Sequence, residues 1–358
     1  MSTSLTRNRT RICALIALAT MCVPASGQQR GPKVLLLFDM EGVTDATTFK
    51  HTTVAHPEDY AAGRKSLTAD VNAAISGLKS AGAAEIVVVD GHGSGNTSGP
   101  DVLEDELLPP ARMHYRDTPF DIYMDSYDHS IDAIVAVAMH AGAGNRQGFL
   151  SHTFTFEDVE YKVNGVPFNE SMLLAMGAAR LKIPLIAVSG DDQLEIEIRR
   201  QMPWVRYATV KHAVDRSRAE SVPRGEASRR IEAAARDGLT QVASAKMPEH
   251  SAPYRFSLTF QDEAQARNAA LLPGAEQIGT TVQIRANDFE DGYRQSVRLI
   301  ALAGAVGRAA ASQAVLAAQP NSAAIRVDLA DWLYGRFLDV VRPAAPAATG
   351  NSRYWGAR

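Results

Sequence analysis

Four near-continuous apolar runs mark the first half of the chain: KVLLLFDM (33–40), EIVVVD (85–90), AIVAVAMH (133–140) and PLIAVSGDD (184–192). Runs without polar alternation suit strands buried on both faces, the habit of parallel sheets covered by helices. Between the runs the apolar spacing changes to three and four. Tyr60, Leu67, Val71, Ile75 and Leu78 predict a helix over 58–80 that stops at Gly82, and Met172, Leu173, Met176 and Leu181 predict another over 169–181 before Pro184. Strand and helix alternate, so the expected fold class is α/β, a mostly parallel sheet flanked by helices.

The texture changes after about residue 200. Segment 216–238 reads as an alternating-charge helix with a solvated face. YRFSLTFQ (254–261) and TVQIRAND (281–288) alternate like half-exposed strands, and 289–318 is Ala-rich and helical in pattern. These features predict a catalytic α/β domain over 28–200 and a second, smaller α+β domain over 201–318. In the remaining 319–358 an amphipathic helix is expected over 328–341, with Leu329, Trp332, Leu333, Phe337 and Val340 as a docking face, before a Pro/Ala/Gly/Ser stretch.

The first residues change the picture of where the protein works. Arg7, Arg9 and Arg11 precede an apolar run from Ile12 to Val23, then Pro24 and the small residues Ala25-Ser26-Gly27. That layout predicts a secretory signal peptide over 1–27, cleaved near Gly27, and a periplasmic or secreted mature protein. The run is too short for a stable anchor, and no membrane span is expected further on. Both cysteines, Cys13 and Cys22, fall inside the leader. A lipoprotein reading of Cys22 needs a small residue where Met21 stands. The mature chain then has no thiol, which excludes thiolate ligands, a Cys nucleophile and disulfides. Removing the leader's three arginines from 37 basic residues leaves 34 against 40 acidic ones, a balance of −6 that argues against a nucleic-acid or anionic-membrane partner.

With thiols excluded, metal chemistry falls to His, Asp and Glu. In parallel α/β sheets ligands bind outside the carboxyl ends of the strands. Residues able to hold a metal stand there on three successive runs: Asp39 and Glu41 in FDMEG, Asp90 and His92 in VVDGHGSG, and His140 in AVAMHAGAG. Asp39 and Glu41 are two apart and project to one side of an extended chain. Taken singly, an acid at a strand end also serves as a helix N-cap, and a histidine there as a hydrogen-bonded structural residue. His51, His56, His114, His129, His212 and His250 have no such placement and read as structural or surface residues.

The strings FDMEGVTD, DGHGS, MHAGA, GFLSHTF, VNGVPFNE and SGDD occur here in one order, followed by TVKHAVDRS and LPGAEQIGTTVQIRA. From about Lys33 to about Arg294 the chain thereby resembles the zinc-dependent D-aminopeptidases of the DppA type. The resemblance implies a five-ligand, two-zinc site of Asp39, Glu41, His92, His140 and Glu170, with His152 as the catalytic histidine. Spacing alone does not select Glu170, which also reads as a first-turn glutamate favoured by a helix dipole.

Such a set serves two metals at three ligands apiece if one carboxylate bridges, and a pair of metals activates water for attack on an amide. The amine leaving group needs a proton, a task suited to His152. Asp191 and Asp192 precede a helical QLEIEIRR, where one caps the helix or, alternatively, receives the substrate's free amine. Lys211 is a candidate for an oxyanion or a substrate carboxylate.

The resemblance implies an aminopeptidase acting on short peptides with an N-terminal D-residue such as D-Ala, assembled as a homo-oligomer, a decamer in its relatives. Two features depart from the pattern: the leader, and the continuation past Arg294 to Arg358. Two rival readings stay open: a binuclear hydrolase of another amide or ester, and a non-catalytic periplasmic peptide-binding protein, which needs no bound metal.

Overall fold

A computed structural model describes residues 30–338, apart from 97, 116–120 and 250. The expected leader, Val340 and the rest of the chain end lie outside the described residues. From the amino end, the elements are β1 (Lys33–Phe38), α1 (Pro57–Ser80), β2 (Glu85–Asp90), β3 (Ala111–Met113), α2 (Ile122–Asp125), β4 (Ala133–Met139), β5 (Asp158–Val163), β6 (Val166–Pro167), α3 (Glu170–Ala179) and β7 (Leu185–Asp191). There follow α4 (Asp192–Gln201), β8 (Arg206–Asp215), β9 (Arg218–Ser221), α5 (Arg224–Thr240), β10 (Tyr254–Phe260), α6 (Glu263–Ala269), β11 (Glu276–Ile278), β12 (Thr281–Ala286), α7 (Phe289–Ala317) and α8 (Ser322–Phe337).

The apolar runs form the centre of a seven-stranded sheet in the order β3-β2-β1-β4-β7-β8-β9. All its pairs are parallel except β8 with β9. Alternate side chains of the same strand enter different cores. Leu35, Leu37, Val87 and Val89 join one that includes α3, α4 and the second sheet, while Val34, Leu36, Ile86 and Val88 join one with α1 and α5. Burial on both faces explains the missing polar alternation, and each such Leu, Val or Phe contributes roughly 1.5–3 kcal/mol.

The strand order also locates the site. From β1 the chain moves outward through β2 and β3, then returns to place β4 on the other side of β1. The order therefore reverses between β1 and β4, and the crevice beyond their carboxyl ends is where such sheets bind ligands.

A second, antiparallel sheet runs β11-β12-β10-β5-β6. Both sheets belong to one compact unit that begins at Gly31. Sheet membership crosses the division expected near residue 200 in both directions. The hairpin β5–β6 joins the second sheet from before it, and β8, β9 and α5 complete the first sheet's layers from after it. The charged segment read as a helix from 216 becomes one only at Arg224, just past Pro223, whose fixed φ favours a helix start; residues 218–221 are edge strand β9.

Of the later helices, one matches its expected span and one is corrected. α7 is 29 residues long with an 18-residue window of mean hydropathy 1.5, long and apolar enough to cross a membrane by length and composition. Its first half instead buries Phe289, Tyr293, Val297, Ile300 and Ala303 in the core of the second sheet. α8 spans 322–337 rather than 328–341, and the expected docking face is uncovered in this chain: Leu329, Trp332, Leu333 and Phe337 are all exposed.

Candidate active site

β1 ends at Phe38, so Asp39 and Glu41 stand on the turn that follows rather than on the strand. Their two-residue spacing still brings them together, through a turn that packs hard against β4. Gly42 donates its N–H to the carbonyl of Ala138 at 2.8 Å, and a Cβ at residue 42 would lie 2.1 Å from the carbonyl oxygen of Met139. Only glycine fits that approach. The pairing of β4 with β7 slips between Ala136 and Met139, and Ala138 holds a left-handed φ of 61°. An irregularity of this kind re-aims the side chains that follow it, here His140.

The side chains form two linked clusters. His140 Nε2 lies 3.2 Å from Asp39 Oδ2 and 3.4 Å from Glu170 Oε2, and His92 Nε2 lies 3.2 Å from Glu41 Oε1. Donor atoms of Asp39, Glu41 and His140 all fall within 4.8 Å of one another, as do those of His140, His152 and Glu170. All six residues, with Asp39, Glu41 and Glu170 nearly inaccessible, are brought to one place, and His152 stacks on His140 with ring centroids 4.1 Å apart.

Three carboxylates buried together need positive charge. Burial alone would push His140 down, but Glu170 and Asp39 outweigh it and hold the imidazole well above its usual range. His92 is lifted in the same way by Glu41 and Asp101. Burial and the charge of Glu41 push Asp39 up to about 7, while His140 overcomes the burial of Glu170 and holds it at about 2. Even so, Glu41 Oε2 and His140 Nε2 have no hydrogen-bond partner among the described residues. Buried polar atoms are rarely left so. An oxygen and imidazole donor set with two orphaned donors, in a chain whose described residues contain no cysteine, fits divalent metal.

The ligand-type residues are themselves oriented. His92 Nδ1 lies 2.9 Å from Asp101 Oδ2, and Asp101 Oδ1 accepts from Ser94 Oγ at 2.6 Å and from the Tyr60 hydroxyl. Glu170 accepts from the Tyr123 hydroxyl and from the Phe154 N–H, both at 2.6 Å. His140 Nδ1 and His152 Nδ1 face the carbonyls of Ala141 (2.9 Å) and Leu150 (2.7 Å). A carbonyl only accepts, so in both rings Nδ1 carries the hydrogen and Nε2 is the reactive nitrogen.

His152 differs from His140 in access. It lines a cavity of about 370 Å³ with Asp39, Glu41, His92 and Glu170, whereas His140 lies behind that lining. Burial, then the neighbouring His140, pushes His152 below its ordinary value. Its loop carries two non-glycine residues in the left-handed region, Leu150 at φ 49° and Phe154 at φ 65°. Such strain gathers at functional sites.

Asp191, Asp192 and Lys211 do not line the cavity. Asp191 caps α4 through Leu194 N–H (2.8 Å) and also accepts Phe149 N–H (3.0 Å), which ties down the loop of His152. Asp192 accepts from His212 and from the Ala213 N–H. Lys211 is fully buried and donates to the carbonyls of Glu41, at 2.8 Å, and Ala46. Asp191 and Lys211 thus support the loops that carry His152 and Glu41, and Asp192 braces β8; none of the three reaches the cavity as the substrate readings expected. Asp90 is similar: its two oxygens accept the N–H groups of His92 (2.9 Å) and Asp101 (2.7 Å).

Asp101 and Tyr123 escape any reading of strand ends. Asp101 closes the Gly/Ser-rich loop after His92, and Tyr123 sits on the one-turn helix α2; neither has a spacing that marks it.

Comparison with known proteins identifies the fold and the family. A D-aminopeptidase of Bacillus subtilis (strain 168) is 28% identical over 279 residues, covering 76% of this chain and 97% of its own. The solved structure of the Zn-dependent D-aminopeptidase DppA from Bacillus subtilis, a self-compartmentalizing protease, matches with a TM-score of 0.69 at 25% identity, over 76% of this chain and 97% of that one. The family model described as D-aminopeptidase, peptidase family M55, matches residues 33–297, a span that holds both sheets and every residue of the buried carboxylate and histidine cluster, and the chain belongs to that family.

Proposed function

We propose that this protein is a zinc-dependent aminopeptidase that removes an N-terminal residue of D configuration, such as D-alanine, from short peptides. The observation that carries the reading is the group of three buried carboxylates and two imidazoles, with Glu41 Oε2 and His140 Nε2 outside any hydrogen bond, beside an open cavity. In this reading Asp39, Glu41, His92, His140 and Glu170 hold two zinc ions. Zinc bound there supplies Lewis acidity, which polarises a scissile carbonyl and acidifies a water at neutral pH.

The protein's own side chains do the rest. Tyr123 and Phe154 N–H fix both oxygens of Glu170. Asp101 fixes the ring of His92. His152, with Nδ1 committed to Leu150, keeps Nε2 to take a proton from water and return it to the departing amine nitrogen. Its lowered affinity for protons keeps the ring neutral and ready to accept. Export to the periplasm, proposed from the Arg-led apolar segment at 7–27, would bring such an enzyme peptides that contain D-alanine.

A hydrolysis screen of paired D- and L-aminoacyl dipeptides with added zinc tests the reading. Cleavage of the D-series, with the L-series slow, is expected; cleavage of esters or other amides alone would transfer the site to the rival hydrolase. A companion prediction concerns Asp101→Asn, which keeps the shape but places an amide against His92 Nδ1. Zinc affinity, measured by chelator competition, is expected to fall roughly 10- to 100-fold. Wild-type affinity in that variant would remove Asp101 from the account.

A further inference from the structure

The cavity beside the cluster carries a charge that the chemistry described so far does not use. Its lining includes Asp39, Glu41, Glu157 and Glu170, all anionic when ionised, and Arg308 is the one Lys or Arg among the described lining residues. Arg308 sits in α7 beyond the span 33–297 that the family model matches. Its guanidinium makes a single ion pair among the described residues, with Glu157 Oε1 at a long 3.7 Å, and the side chain is 54% exposed. Glu157 is held from its other oxygen by Gln265 Nε2 at 2.6 Å. Most of the planar donor fork of Arg308 is therefore uncommitted and open to the cavity.

The helix is shaped to let those side chains lie where they do. One turn before Arg308 stands Gly304, where a Cβ would come within 2.6 Å of Glu157 Oε1 and 2.7 Å of Arg308 Nη2. Beside them Phe49 and Phe156 pack edge to face, ring centroids 6.0 Å apart, as an apolar wall of the same cavity.

We propose that Arg308 forms a subsite for the C-terminal carboxylate of a di- or tripeptide. The inference rests on the aminopeptidase reading and narrows its substrate class. A short peptide is a zwitterion. Its ammonium suits the acidic part of the lining, whereas its carboxylate is repelled there and finds a matching bidentate donor only in the guanidinium. A volume of about 370 Å³ lies at the small end for ligand pockets, which suits two or three residues between the two charges. Longer peptides would carry the carboxylate past Arg308 and forfeit the contact.

The test compares D-alanyl-D-alanine with its C-terminal amide on zinc-loaded wild type, Arg308→Ala, Arg308→Gln and Arg308→Lys. kcat/KM is read where hydrolysis occurs, and calorimetric titration of the same loaded protein where it does not. Wild type is expected to favour the free acid by about tenfold, chiefly through KM. The acid-to-amide ratio should approach one in Arg308→Ala and Arg308→Gln and fall between in Arg308→Lys, which keeps the charge but loses the fork. An unchanged ratio across the series, or no preference in wild type, overturns the subsite while cleavage of both compounds leaves the peptidase standing. Arg308-dependent binding of the acid with cleavage of neither overturns the peptidase and leaves the subsite. Neither binding nor cleavage overturns both.

Discussion

Asp39→Ala is expected to strip the protein of zinc, to abolish peptide hydrolysis, and to stabilise the fold that remains in the absence of metal. The first two follow from the place of Asp39 beside both Glu41 and His140. If Asp39 helps hold metal as proposed, its loss should exceed the roughly 10- to 100-fold range of changes in the surrounding shell. The third is less obvious and comes from electrostatics. Burial and the charge of Glu41 already push the Asp39 carboxyl up to about 7, so without a cation this group is a burden on the folded state. Removing it relieves that burden, at the expense of the zinc-binding term.

Zinc at a thousandfold excess over its Kd adds about 4 kcal/mol to the stability of the wild type. Thermal unfolding with and without a chelator therefore separates the contributions. Wild type should lose many degrees of Tm on chelation, while Asp39→Ala should be insensitive and should exceed the chelated wild type. A variant that still responds to the chelator as wild type does, or a metal-free wild type with full activity, would refute a metal role for this residue.

How much of this was legible in the sequence follows from which physical signals a linear chain carries. The parallel sheet was readable because strands buried on both faces erase polar alternation, as in Leu35, Leu36 and Leu37. The site's position was readable because Asp39, Glu41, His92 and His140 follow strands that lie side by side. Glu170 was not, since it stands at the first position of α3 after an N-cap Asn169, where a glutamate also suits the helix dipole; only the resemblance singled it out.

The errors have equally local causes. Lys211 read as a candidate substrate group because an isolated lysine carries no mark of its partners, the backbone carbonyls of Glu41 and Ala46 far away in sequence. Asp191 caps its helix, as one of its two readings had it, and what its sequence neighbourhood did not announce is the bond from Phe149 N–H. The hairpin β5–β6 was hidden because its residues 158–163 include Asp158, Glu160 and Lys162, which dilute the apolar alternation. Asp101 and Tyr123 reach His92 and Glu170 across 9 and 47 residues of sequence, so nothing in their own neighbourhood announces them.

His152→Ala is the sharpest test of mechanism because two roles for this residue predict different metal contents. By distance alone His152 qualifies as a ligand, its donor atom lying with those of His140 and Glu170. Its electrostatics argue for a proton carrier instead. Nδ1 is held by Leu150, the ring lines the cavity, and burial together with His140 keeps its proton affinity low. Four of the five proposed ligands line the same cavity, so access alone does not decide; His152 is set apart by a lowered proton affinity where those of His92 and His140 are raised. His152→Ala is therefore expected to keep its zinc, measured by elemental analysis of purified protein, and to lose turnover by a factor on the order of 10²–10⁴. Loss of zinc together with activity would make His152 a ligand, and full turnover would remove it from the reaction. The stacking on His140 sharpens the reading further, since a cavity left at this site opens a path for water to the otherwise buried His140. The KM for short peptides should then change far less than kcat, because the imidazole acts on the proton in flight rather than on the bound peptide.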